Sequence, residues 1–234
     1  MSSTVSWVAA WATMGLMGVY ELALAWGHRR HGEPSAALAR SGHALLREDW
    51  FTAVSAHPGS EILAVQTLRN SLMSATMTAS TAALALMGTA TLAAPSLHLA
   101  LDPASSAAQI TPRFMLELLL MAQLFASLVL SVMAVRYYNH AGFVSAMPVG
   151  SDARRRWNDA GRVYVRRAGI LYSWGLRHLI LITPVLAGIV HPLAGPVTAV
   201  VVVLVLAGFD RFGSAERLTA TRAAPPGLSE PPAP

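Results

Sequence analysis

The chain contains neither cysteine nor lysine. The first absence excludes disulfides, thiolate metal sites and cysteine nucleophiles together. The second means that all 17 basic residues are arginine. Charge of either sign is scarce: charged residues make up 12% of the 234, against about 25% in an ordinary soluble domain. Hydrophobic residues account for 54%, and mean hydropathy is +0.47. Such a balance, laid out in long apolar runs, argues for a polytopic membrane protein rather than a soluble core. From Met1 to Trp26 there is no arginine or lysine, so the positive n-region of a cleavable signal is lacking. That run is long enough to span and is expected to be a retained helix. No nucleotide-binding glycine loop, serine elbow or zinc-protease histidine pair occurs.

A membrane helix needs roughly 20 predominantly apolar residues. Spans are expected at about 5–26, 71–93, 114–135, 168–190 and 197–209. The break between the last two is HPLAGP, residues 191–196, where two prolines and a glycine mark a turn. The fifth run is short, so a re-entrant hairpin is the alternative for 168–209. The predicted fold is therefore an all-α, polytopic transmembrane helix bundle of four to five spans. A single membrane domain covers 1–212, and 213–234 is expected to be a disordered, proline-rich cytoplasmic tail.

Orientation follows from arginine placement. Segments 27–70, 136–167 and 210–234 hold 5, 7 and 3 arginines, the opposite side has only Arg113, and Arg177 lies within the fourth span. The N-terminus is therefore expected outside and the C-terminus in the cytoplasm of a cell with this protein in its inner membrane. The same placement explains 154-RRRW-157 and Arg166-Arg167 without nucleic acid; anionic lipid headgroups are the expected contacts. Between the first two spans, 34-PSAALARSGHALLREDWFTAV-54 reads as a cytoplasmic amphipathic helix on the membrane surface. Pro34 suits its first turn. Leu38, Leu45, Leu46, Trp50 and Val54 form its apolar face, with Arg47, Glu48 and Asp49 turned elsewhere. Ser60 is placed to cap the next helix. From Glu61 to Ala93 that helix is longer than the ~30 Å hydrocarbon layer, so its first turns should project into the cytoplasmic interface.

Within the spans, Ser71, Ser74, Thr78, Thr81, Ala85 and Gly88 recur at intervals of three and four beside a bulkier face of Met73, Met77, Leu84 and Met87. Small residues belong where helices approach closely in lipid, so this stripe is expected to be a packing seam. A polar pathway is the alternative, though hydroxyls bonding the carbonyl four residues back prove no pore. Gln123, Ser127 and Ser131 make a polar ridge expected to bond a neighbouring helix. Arg113 and Glu117 should pair at the outer interface. Glu21 and Arg177 are ionisable groups inside spans, costly unless partnered, and are expected to form an intramembrane ion pair. Only His178 among the histidines is deep, whereas a membrane b-type haem needs paired ligands. No metal or other cofactor is expected, and no catalytic residue is assigned.

Residues 62–80, ILAVQTLRNSLMSATMTAS, resemble the signature of an uncharacterised membrane family of bacteria and plants, domain of unknown function 599. The resemblance continues at 47-REDW-50, 136-RYYNHAGF-143 and 161-GRVYVRRAGILYSWGLRHLILITPVLAGIVHPLAG-195, and covers most of residues 10 to 212. It implies a multi-helix membrane protein and no activity. It also draws attention to one level of the chain, because these motifs flank spans on the arginine-rich side. Gln66, Arg69, Asn70, Arg136, Asn139 and His140 are accordingly expected to form a polar collar at the inner face. Such a collar either caps helix ends or holds a lipid headgroup, an anionic solute or a partner protein.

The function expected from all this is a non-enzymatic accessory or scaffold role in the plasma membrane. Membrane lipids, a homo-oligomer or a membrane-protein partner are its expected company. A small-solute or ion transporter is the alternative, with a lipid-headgroup enzyme third.

Overall fold

The computed structural model describes residues 3–30, 39–101 and 110–223. Six helices make up the described chain: α1 (Ser3–Arg30), α2 (Ala39–Ala56), α3 (Glu61–Leu101), α4 (Pro112–Ala146), α5 (Asp152–Val190) and α6 (Ala194–Ala223). No strand occurs among the described residues. Four helices, α1, α3, α4 and α5, are long and apolar enough to cross a bilayer, and residues 194–209 of α6 form a shorter apolar stretch. The architecture is an all-α transmembrane bundle.

Two successive hairpins form its centre. Thr111 N-caps α4 by accepting from the Phe114 N–H, and Pro112 takes the first turn, where no N–H is missed. Ser151 caps α5 in the same way. The α4–α5 connection is only 147–151, with Gly150 at φ +88°, a conformation open to glycine. Both helices therefore run well past the hydrocarbon boundaries expected at 135 and 168. RYYNHAGF and GRVYVRR are helical continuations of the spans, not loop motifs, because Tyr138, Ala141, Val144, Val165 and Ala168 bury one face of this projection. α6 starts beside α1 and α5 at the opposite end, where Gly188 and Gly195 bring their backbones together. It packs along α5 and α1 and reaches α2 at the arginine-rich end. It thus runs the height of the bundle, which does not suit a re-entrant hairpin.

Several expectations shift. α3 does not end with the span expected to close at 93 but runs through Pro95 to Leu101, since one proline removes a single ladder bond and the flanking residues are good helix formers. The seam on α3 is formed by Ala64, Leu68, Ala75, Ala79, Ala82 and Ala93, about a quarter-turn from the stripe of small and hydroxylated residues. Of that stripe only Thr78 is buried; Ser71, Ser74, Thr78 and Thr81 each donate to the carbonyl four residues back. Met73, Met77, Leu84 and Met87 are exposed on the outside.

α2 is also turned differently from its reading as a surface helix. Phe51 is fully buried, Arg47 and Glu48 are half-buried, and Leu45 and Leu46 face outward. The reason lies on α5, where Gly161 and Gly169 leave two notches on one face. A Cβ at Gly161 would collide with the Phe51 ring, and one at Gly169 with the Arg47 guanidinium. Glu48 pairs with Arg166 at 3.2 Å. Arg154, buried, donates to the Val144 carbonyl and, at 2.8 Å, to Ser55 Oγ, and sits over the Phe51 ring. Ser60 turns its hydroxyl back to the His57 carbonyl (2.7 Å), closing α2 instead of capping α3. Helix α6 extends to Ala223, so the first part of the tail expected to be disordered is helical; its alanine, leucine, arginine and glutamate residues favour that state. Pro34, Leu38 and 224–234 lie outside the described residues.

Candidate functional site

The buried face of α4 repeats at helical spacing: Leu116, Glu117, Leu120, Gln123, Leu124, Ser127, Ser131 and Ala134. The expected polar ridge is on that face. Ser127 Oγ donates to the Gly175 carbonyl of α5 at 2.7 Å, across a contact so close that a Cβ on Gly175 would strike Ser131 Oγ. Gln123 sits near the middle of the α4 span, and its amide uses both ends. Nε2 donates to Glu21 Oε1 of α1 at 3.0 Å, and Oε1 lies 2.5 Å from His178 Nδ1 of α5. His178 Nδ1 is also 3.6 Å from Glu21 Oε1, and its ring stacks on Trp174 with centroids 6.1 Å apart.

Glu21, Gln123 and His178 therefore form one cluster joining α1, α4 and α5. The expected Glu21–Arg177 ion pair is displaced by one residue on each helix. Arg177 Nη1 donates to Tyr20 OH at 2.6 Å, and Glu21 takes Gln123 and His178 instead. Consecutive helical residues point about 100° apart, so the rotation of α5 about its own axis decides whether Arg177 or His178 stands opposite Glu21. In an apolar surround such hydrogen bonds tie helices together, because an unpaired polar group has no water to fall back on. The cluster is not sealed: the Glu21 side chain keeps 30% of its exposure and His178 16%. Arg113 and Glu117 pair at 2.9 Å as expected, but with Glu117 buried and its Oε2 without a hydrogen-bond partner. Among the described residues no three histidine, aspartate or glutamate side chains converge in a way that would hold a metal ion.

A family model described as a protein of unknown function, DUF599, matches residues 8–215. The chain belongs to the DUF599 family. No curated protein matches it, nor does any solved structure. The match covers all five apolar stretches and α2, so the polar cluster and the arginine-rich projection both lie within the family's domain.

The six collar residues lie on α3 and α4 towards the arginine-rich end of the bundle. Gln66, Arg69, Asn70, Arg136, Asn139 and His140 are all exposed, on the faces of α3 and α4 that point away from the Ala64–Leu68–Ala75 and Ala134–Tyr138–Ala141 seams. No side chain of the six bonds another; His140 lies against the Tyr164 ring, centroids 5.5 Å apart. They make an outer surface, not a pocket. The residues that converge at this level are others: Arg47, Trp50, Ser71 and Tyr138 line a cleft of about 300 Å³ between α2, α3, α4 and α5. The sequence turns Arg47 away from the apolar face of α2, and that helix's periodicity alone gives no sign of the glycine notches on α5. For His178 the sequence gives the depth and not the partner.

Proposed function

We propose that this is a multi-pass protein of the cell membrane, N-terminus outside and C-terminus cytoplasmic, that serves as a non-enzymatic accessory or scaffold. The observation that carries this is the division of charge along the bundle. Arg47, Arg69, Arg136 and the arginines of 154–167 gather at the end where α2 and the α4–α5 hairpin project, and Arg113 lies at the other. Cytoplasmic surfaces carry such an excess, and it suits anionic headgroups. Inside the bundle the polar groups are used on one another: Gln123 joins Glu21 to His178, and Arg177 joins Tyr20, which supports a binding role for these groups between helices.

The partial exposure of Glu21 and His178 favours a second reading, a proton- or ion-conducting protein. Flux into vesicles carrying the purified chain separates the two. The accessory reading expects proton and ion flux equal to that of protein-free vesicles, with Glu21→Gln and His178→Ala lowering thermal stability alone. A flux that either substitution abolishes would replace it with the transporter reading.

A further inference from the structure

We propose that the cleft between α2, α3, α4 and α5 binds an anionic phospholipid, with Arg47 on its phosphate. The cleft holds about 300 Å³ and is largely apolar. Its position matches the boundary between headgroup and hydrocarbon. Ser71 is the first residue of the second span, Tyr138 lies three residues beyond the third, and Val165 three before the fourth. Trp50 and Tyr138 on its walls are the aromatic types that favour this depth.

Arg47 is the charge in it. The guanidinium rests against the bare backbone of Gly169, with no room there for a Cβ. It makes no hydrogen bond or ion pair with the described residues, while Glu48 beside it is taken by Arg166. The Tyr138 hydroxyl lies within electrostatic reach of Arg47 and beside Ser71. Arg47 thus offers free donors to a phosphodiester. The Thr67 hydroxyl donates to the Leu63 carbonyl, which leaves its lone pairs for a headgroup hydroxyl, while Ser71 donates to the Thr67 carbonyl and meets the Tyr138 hydroxyl. Leu68 and Val165 offer apolar wall to the first carbons of an acyl chain. A cation with no partner among the described residues, a hydroxyl acceptor and a greasy wall at interface depth fit a phosphatidylglycerol-like lipid better than a soluble phosphate.

The inference rests on the membrane placement proposed above, and the test separates the two. The full chain is reconstituted into nanodiscs holding equal phosphatidylglycerol and phosphatidylcholine, extracted gently, and its retained lipid counted by native mass spectrometry. Phosphatidylglycerol should be retained preferentially. Arg47→Gln should cut that retention about tenfold, the scale of one charge-assisted contact. Arg113→Gln, which removes a charge at the opposite end of the bundle, should leave it unchanged. As a readout needing no change at Arg47, phosphatidylglycerol with brominated chains should quench tryptophan fluorescence in the wild type, and Trp50→Phe should remove that component. Equal retention of both lipids, an Arg47→Gln chain that still prefers phosphatidylglycerol, or displacement of the lipid by inorganic phosphate would overturn the site. A chain that fails to enter the discs would instead overturn the membrane placement.

Discussion

Gln123 is the residue on which the interior turns, because its amide is the bridge between a carboxylate on α1 and an imidazole on α5. Replacing it with leucine leaves both partners without their bond, and each stranded polar group costs about 1–3 kcal/mol. Gln123→Leu is therefore expected to lower the thermal midpoint of the detergent-solubilised protein clearly. Replacing all three groups with leucine should recover most of that loss, since a polar network removed as a whole leaves nothing unpaired. Size-exclusion recovery after stepwise heating measures both variants; a triple variant less stable than Gln123→Leu would show that the cluster contributes more than mutual satisfaction. The polar residues of this cluster were all visible in the sequence as costly groups in apolar runs. Their pairing was not. Glu21 and Arg177 have complementary charge and comparable depth, yet the rotation of α5 selects His178, and rotation leaves no mark on spacing or charge.

Between helices, glycine decides what spacing does not. A soluble amphipathic helix announces its buried side by polarity, but a membrane helix is apolar toward both lipid and neighbours, so hydropathy fixes where α3 lies and not which way it faces. The stripe Ser71–Gly88 had the right period and the wrong phase, and the alanines a quarter-turn away make the contact. The break at HPLAGP was legible because proline and glycine act locally on the backbone, whereas the lengths of α4 and α5 were not. The α2–α5 contact was not, because it depends on Gly161 lying opposite Phe51. Gly161→Ala puts a methyl into the Phe51 ring and 2.9 Å from Val144 Cγ1. It should destabilise by about 1–3 kcal/mol as overpacking. Phe51→Leu should destabilise by opening a void, and the double variant should be more stable than the sum of the two predicts. Additive losses in thermal midpoint would mean that α2 does not seat on this notch. A second link at this end is sensitive to acid. The Val149 N–H donates to Glu61 Oε1 at 2.8 Å, and this bond, ahead of the hydrocarbon, holds the carboxyl below its usual 4.5. A depressed carboxyl stabilises the fold above the unfolded-state value and loses that contribution as pH falls through the folded one. The stability difference between wild type and Glu61→Gln should thus be full near neutrality and shrink below about pH 4.5. A difference constant down to about pH 3 would dissociate the bond from the titration.

For the whole molecule, the arrangement of its ends decides which side of the membrane each face meets. Helices α4 and α5 meet at 147–151 amid arginines, while Thr111 begins α4 at the opposite end. Fifteen of the 17 arginines fall in segments assigned to one side, and translocating such loops is unfavourable, so that side should be cytoplasmic. The absence of native cysteine makes the test direct, since any introduced thiol is the sole reactive one. Thr111→Cys and Asp152→Cys place exposed thiols at the two ends. In intact cells a membrane-impermeant maleimide should label Thr111→Cys, and Asp152→Cys only after permeabilisation. The reverse pattern would invert the orientation and move the Arg47 cleft to the outer leaflet without dismantling it, because the cleft depends on interface depth and not on side. Labelling of both thiols in intact cells would be more damaging. It would mean that α4 does not cross the membrane, and that the bundle's long apolar helices are buried against something other than lipid.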